Sequence, residues 1–270
     1  MCLIFVKSFL SPGHNYNYKE MEHIKLEKRG EIAIVKIDNP SKLNALSNTL
    51  MKNLVKVISD LGKDKKVGVI ILTGSGKSFI SGGDIKEMSA FDFKKALKFA
   101  AVGKLLVSSI LDSSKVVISA VNGYALGGGS EVALASDIVV ASKKAVFGQP
   151  EAKLGVIPGF GGTQLLRDNL SLHLSKELVF RGNIISADEA YRIGLVNHVV
   201  DDPLKKSIEI ADEILRNSPY AVKEAKKLLN KDLSRNFKEE SNVYARCFSN
   251  KDSKEGINAF LEKRKPNFNK

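Results

Sequence analysis

The sequence contains no tryptophan, two cysteines, four histidines and seven prolines, and aromatic residues fill only 7% of its 270 positions. Each shortage removes a class of function. Cys2 and Cys247 cannot build a disulfide framework or a thiolate zinc site. His14, His23, His173 and His198 show no metal-ligand spacing. Without Trp, and with few other aromatics, there is little surface on which single-stranded nucleic acid could stack. No stretch approaches the ~18 consecutive apolar residues of a membrane-spanning helix, so no membrane partner is expected. The nucleophile elbow Gly-x-Ser-x-Gly and the dinucleotide fingerprint Gly-x-Gly-x-x-Gly are also missing.

What is present is ordinary in bulk and uneven in charge. With 43% hydrophobic and 27% charged residues, the chain has the balance of a globular protein and the length for one sizeable core. The net charge is +12, and residues 204–270 hold 16 Lys and Arg against 10 Asp and Glu, so half the excess lies in the last quarter. A basic balance favours anionic partners such as phosphates, nucleic acid or acidic lipid without choosing among them. A solvated Lys-rich surface explains it equally. Residues 1–20, with a short apolar run from Cys2 to Val6 and no Arg, fit neither a secretory signal nor a typical transit peptide. They read as an extension before a globular domain that begins near Met21. Cytoplasm is the default location, with organellar import left open.

The periodicity alternates between strand and helix. Ile24–Lys28 and Ile32–Ile37 flank Arg29-Gly30 as a hairpin. Leu46–Leu61 carries Leu46, Leu50, Leu54, Val57, Ile58 and Leu61 near helical spacing, with Ser47 as N-cap. Val67–Thr73 is an apolar strand ending at Gly74-Ser75-Gly76, and Ser78–Ile80 is strand-like. Lys94–Leu111 is helical, Val116–Val121 a strand, and Gly127–Ala135 opens a further helix. Asp137–Ala141 and Ala145–Phe147 are short strands. The alternation predicts an α/β fold. Beyond Thr163 the pattern is helical except for one strand, Val196–Val200, and Ser186–Glu189 resembles a capping box. Residues 21–217 are read as the core domain. Residues 218–270 are read as a helical region, beginning at Ser218-Pro219, whose apolar faces need a partner surface.

The chemistry-bearing segments are glycine clusters and two acids. Thr73–Ser78 (TGSGKS) lacks the upstream Gly of a phosphate loop, Ile71 standing there, and reads as a surface turn. Ser81-Gly82-Gly83-Asp84 ends a strand, and Gly127-Gly128-Gly129 leads into a helix. Glycines there let a ligand approach the backbone, and free N–H groups at a helix start suit developing negative charge. Two such clusters could form an oxyanion hole, or serve only turns and close packing. Glu131 lies in the first turn of its helix, where an acid also simply complements the dipole. Glu151 lies between Pro150 and Pro158 in a stretch read as non-helical. Twenty residues apart, the two acids cannot share a helix face and can meet only through folding.

Together these segments resemble the crotonase, or enoyl-CoA hydratase/isomerase, family. The resemblance runs from about Met21 onward through Leu43–Leu46 (LNAL), Phe79–Met88 (FISGGDIKEM), Asn122–Leu134 (NGYALGGGSEVAL), Phe147–Gln164 (FGQPEAKLGVIPGFGGTQ) and Ala259–Phe268 (AFLEKRKPNF). It implies a spiral of ββα units with a C-terminal helical trimerisation region, hence a homotrimer or a hexamer made of two trimers. It implies an oxyanion hole from the backbone N–H groups of Gly83 and Gly128. By the same match Ala45, Ser81, Asp84, Ile85 and Lys86 line the pantetheine channel, and Gly127 and Pro150 border the substrate. Gly159 holds a water, and Tyr244 and Lys263 reach the adenine and phosphate end. Hydratases of the family have two glutamates where this chain has Glu131 and Glu151, while the related isomerases commonly keep one. The resemblance therefore implies an enoyl-CoA hydratase acting on an acyl-CoA, with no metal or redox cofactor. The alternatives are a Δ3,Δ2-enoyl-CoA isomerase and an RNA-binding methylglutaconyl-CoA hydratase-like protein. The second rests on Lys52, Lys56, Lys63, Lys65 and Lys66, which a solvated helix face also explains.

Overall fold

The architecture is that of a computed structural model, which describes residues 21–230 and 237–266. The expected extension at residues 1–20, and the end of the 259–268 motif, lie outside these.

Two hairpin strands, β1 (Ile24–Arg29) and β2 (Ile32–Ile37), pair antiparallel and open a six-stranded sheet. Its order is β1-β2-β3-β5-β7-β10, with β3 (Val69–Gly74), β5 (Val116–Val121), β7 (Ile138–Ser142) and β10 (His198–Val200) joined in parallel. A second sheet of three-residue strands has the order β4-β6-β8-β9: β4 (Ser78–Ile80), β6 (Tyr124–Leu126), β8 (Val146–Gly148) and β9 (Ile184–Ser186). The chain visits the sheets alternately, β3 to β4, β5 to β6 and β7 to β8, and after each short strand it enters helical structure. That repetition is the expected ββα spiral.

The strand β3 is buried throughout because it is covered on both sides. Ile70 and Leu72 join the main core, while Val69 and Ile71 face a second cluster that includes Ile210 and Ala211 of α8 (Pro203–Leu215). The period of two sorts them. On the main side lie α1 (Asn48–Lys63) and α3 (Phe93–Leu111). Leu50, Met51, Leu54, Val57, Ile58 and Leu61 of α1 are buried, and Ser47 accepts the Leu50 N–H at 3.2 Å as its cap.

Two local expectations change. The segment Ile184–Ser186 is a strand, paired antiparallel with β8, so the chain beyond Thr163 holds two strands rather than one. Pro150–Leu154 forms a 3-10 turn, so Glu151 sits in a helical turn and not in open loop. Proline at the first position, lacking an N–H, suits that start.

The tail comprises α9 (Pro219–Leu229), α10 (Phe237–Cys247) and α11 (Lys251–Leu261). Helix α10 packs on α3, and α11 on the Pro150–Leu154 turn and on α2 (Ile85–Met88). Helix α9 is tied down by Lys226, whose ammonium donates to Ile110 O (3.0 Å), Lys115 O (2.9 Å) and Asp137 Oδ2 (2.7 Å). Its outer face leaves Tyr220, Leu228 and Leu229 exposed. No helix among the described residues is long and apolar enough to cross a membrane.

Candidate active site

The strands β4, β6 and β8 run parallel, with Ile80 opposite Ala125 and Leu126 opposite Gly148. Their carboxyl ends therefore open at one edge of the small sheet. At that edge the chain continues as Ser81–Gly83, Gly127–Gly128 and Gln149–Glu151, three segments far apart in sequence.

The first exit is braced by the Leu43–Leu46 segment. Leu43 and Asn44 take left-handed φ values of 51° and 58°. Buried Asn44 donates to Ser75 O (3.0 Å) and Ser78 O (2.7 Å) and accepts the Asn39 N–H (2.8 Å). Leu46 then brackets Gly83, donating to Gly82 O (2.8 Å) and accepting the Asp84 N–H (2.9 Å). Those bonds use the neighbours of Gly83 and not its own N–H, and Gly83 lines the cavity.

At the second exit Gly127 has φ +51° and starts α4 (Gly128–Ala135). The conformation favours glycine, and a β-carbon on Gly127 would stand 2.8 Å from Glu151 Oε1 and push that carboxylate aside. One turn into α4, Glu131 is 1% exposed, although its helix position would suit a surface acid. Its Oε1 accepts the Phe160 N–H at 2.8 Å and the Gly162 N–H at 2.7 Å, at the start of α5 (Gly162–Asn169). A carboxylate out of water needs such charge-assisted donors.

At the third exit Gln149, buried at 1% exposure, stands beside Glu151. With its amide turned to satisfy both groups, its nitrogen donates to Glu151 Oε1 (3.0 Å) and Oε2 (3.2 Å). Gly162 stands between Glu131 and Gln149: a β-carbon there would lie 2.9 Å from Glu131 Oε1 and 3.1 Å from the Gln149 side-chain amide.

Glu131 and Glu151 line one cavity with Gly83, Gly128, Ser81, Ile85, Gly127, Pro150, Gly159 and Tyr244. The other expected substrate contacts stand outside it. The carboxylate of Asp84 caps α2, accepting the N–H groups of Lys86 (3.0 Å) and Glu87 (3.2 Å), and pairs with Lys42 at 3.2 Å. Lys86 and Lys263 are exposed and Ala45 is half-buried. Tyr244, expected at the adenine and phosphate end, is buried in the cavity wall, because α10 folds back on α3. Burial raises its phenol well above the ordinary pKa of 10.0, and the negative charges of Glu131 and Glu151 raise it further.

Sequence reasoning did not single out Gln149, Met88, Phe99 or Phe160, which support or line the site. The signal for Gln149 is its place one residue before Pro150-Glu151. For the apolar walls there is none, since a buried Phe looks the same in any core. Among the described residues, no group of three or more His, Cys, Asp or Glu side chains is arranged to hold a metal ion.

Comparison with known proteins gives a consistent picture. Residues 27–270 match the family described as Enoyl-CoA hydratase/isomerase. The chain is 43% identical over 253 residues to the short-chain-enoyl-CoA hydratase of Clostridium acetobutylicum, covering 91% of this chain and 97% of that protein. It is 41% identical to the crotonyl-CoA hydratase of Syntrophomonas wolfei, covering 92% and 98% respectively. Among solved structures, an enoyl-CoA hydratase/isomerase from Mycobacterium paratuberculosis superposes with a TM-score of 0.82 at 30% identity, covering 87% of this chain and 97% of that one.

Proposed function

Because the chain belongs to the enoyl-CoA hydratase/isomerase family, we propose that it is an enoyl-CoA hydratase, converting a 2-trans-enoyl-CoA and water reversibly to the 3-hydroxyacyl-CoA. The observation that carries this reading is the meeting of two carboxylates, Glu131 and Glu151, in one cavity with the exits of β4 and β6. Moving a double bond needs one proton shuttle. Adding water needs a group that takes a proton from water and a group that delivers one to carbon.

In the proposed reaction Glu131 takes a proton from water as its oxygen bonds to C3. The C2–C3 π electrons move into the thioester, and the oxygen that gains charge accepts the N–H groups of Gly83 and Gly128. Glu151, entering the step as the protonated acid, delivers its proton to C2 and is left as the carboxylate, and the proton that Glu131 took from water returns to Glu151 through solvent before the next turnover. Gln149 keeps Glu151 aimed, and the N–H groups of Phe160 and Gly162 do so for Glu131. No electron is gained or lost overall, so the step as written uses no redox group or metal, and CoA enters as part of the substrate.

The exposed face of α9 supports a homotrimer, with a hexamer formed from two, and the cytoplasm is the proposed location. The RNA-binding alternative gains nothing from the lysines of α1 and its flanks. Lys56, one of its five lysines, pairs with Asp60 at 2.9 Å, and a solvated helix face accounts for the others.

The test is the ultraviolet absorbance of crotonyl-CoA mixed with purified protein. The conjugated enoyl thioester should be consumed with formation of 3-hydroxybutyryl-CoA. Double-bond migration in a 3-enoyl-CoA without any hydration would assign the isomerase instead.

A further inference from the structure

Gly83 and Gly128 lie beyond the last residues that β4 and β6 pair with each other, Ile80 and Ala125. The ladder between the strands therefore stops short of the two N–H groups assigned to the thioester oxygen. Two donors stabilise one developing charge only if both are aimed at it before the reaction begins. Contacts other than the ladder must fix the distance between them.

Leu46 reaches both. Its N–H donates to Gly82 O (2.8 Å) and its carbonyl accepts the Asp84 N–H (2.9 Å), a parallel bridge centred on Gly83. Its side chain is fully buried, and a β-carbon on Gly128 would stand 3.1 Å from its Cδ1. Leu46 is itself held from both sides along the chain. Before it, buried Asn44 is fastened to Ser75 O and Ser78 O. After it, Glu87 of α2 accepts the Asn48 N–H (3.1 Å) and the Asn48 side-chain amide (2.8 Å). The start of α4 has another support, since a β-carbon on Gly129 would collide with Ile80 O. One contact leaves a helix start free to pivot. The Leu46 methyl adds a contact on Gly128 itself, and the Phe160 ring, 2.7 Å from the same β-carbon position, fills the rest of that space.

We propose that Leu46 is a positioning residue of the oxyanion site: its backbone holds Gly83, its methyl abuts Gly128, and it thereby sets the separation of the two N–H donors. The proposal rests on the hydratase reading for the identity of those donors. Leu46 does not line the cavity, so it acts through the glycines and not on substrate. Replacing its side chain leaves the backbone bonds to Gly82 and Asp84 in place and tests the contact with Gly128. A shift on the order of 1 Å can cost ~10²-fold in rate. Losing one oxyanion donor outright costs roughly 10²–10³-fold in kcat.

The experiment compares the wild type with Leu46→Ala, Leu46→Val and Leu46→Met. It reads kcat and KM on crotonyl-CoA, and the infrared carbonyl stretch of bound butyryl-CoA labelled at its thioester carbon. Butyryl-CoA has no double bond to hydrate, and donors on its oxygen lower the stretching frequency. The wild type should lower it on binding. Leu46→Ala should bind butyryl-CoA with less lowering, and its kcat on crotonyl-CoA should fall ~10-fold or more with KM little changed. Leu46→Met conserves volume and should restore both, and Leu46→Val carries the test if the Ala cavity prevents folding. A purely structural leucine would change the amount of active protein and leave the stretch of bound butyryl-CoA where it is. A wild-type stretch in the folded Ala or Val variant therefore overturns the proposal, whatever happens to kcat. No hydration of crotonyl-CoA by the wild type overturns the hydratase reading, and the stretch then decides the role of Leu46 alone. A wild-type stretch unmoved by binding overturns the donor assignment and this proposal together.

Discussion

Gly162 donates its N–H to Glu131 Oε1 at 2.7 Å, while a β-carbon on the same glycine would lie 2.9 Å from that oxygen. The hydrogen bond and the missing side chain are one requirement. Gly162→Ala should therefore displace the carboxylate while the backbone donor remains. A misplacement on the order of 1 Å can cost ~10²-fold in rate, so kcat on crotonyl-CoA should fall by roughly that factor, with KM little changed. Steady-state kinetics checks it, and an undisturbed kcat would show that the carboxylate tolerates the shift.

Glu131→Gln and Glu151→Gln keep the shape of the side chain and remove its proton chemistry. Each should lower hydration by ~10²-fold or more while enoyl-CoA binding, followed by calorimetry, survives. A near wild-type rate for Glu131→Gln would reduce Glu131 to a buried structural acid and remove the basis of the hydratase assignment.

The Tyr244 phenol, raised by burial and by the two glutamates, should stay protonated across the working range and act only as a hydrogen-bond donor or wall. The sign for stability follows. Below about pH 10, the ordinary tyrosine pKa, folded and unfolded chains both hold the proton and nothing is gained or lost. Above it only the folded chain holds the proton, so stability falls as pH rises. Tyr244→Phe should flatten that alkaline decline in denaturant titrations. Spectrophotometric titration should show one wild-type tyrosine that ionises only on unfolding.

Asp137 and Lys226 are both disfavoured by burial, which pushes the carboxyl up and the ammonium down despite their mutual attraction. Such a pair adds little net stability, yet removing one partner strands the other. Lys226→Met should cost about 3–5 kcal/mol, and adding Asp137→Asn should restore more than half. Chemical denaturation at fixed protein concentration reads both, and a loss below ~1 kcal/mol in the single variant would mean that water reaches Asp137.

Much of the local structure was legible because local chemistry decides it. Ser47 and Ser186 cap their helices as the sequence suggests, accepting the N–H groups of Leu50 and Glu189. The strand at residues 116–121 has the bounds its β-branched run implies. The missed strand, Ile184–Ser186, is three residues long, too short to display alternation, and it exists through its pairing with β8.

The site divides in the same way. Sequence by itself determined the parts: glycine where backbone must approach a ligand, an acid in the first turn of α4, a Pro-Glu step after a strand, and the family to which they belong. The alternation of strand and helix also determined the α/β class, while the ββα spiral was implied by the resemblance to the family. Only tertiary structure decided which parts meet. Parallel pairing of β4, β6 and β8 carries Gly83, Gly128 and Glu151 to one edge, and no local pattern sets the register of strands so far apart in the chain. It also decided that Asp84 caps a helix, that Tyr244 folds back into the cavity, and that Phe160 occupies the space Gly103 leaves open. Those outcomes depend on which surfaces fill one another's volume, a property of the packed whole that residue type and spacing do not carry.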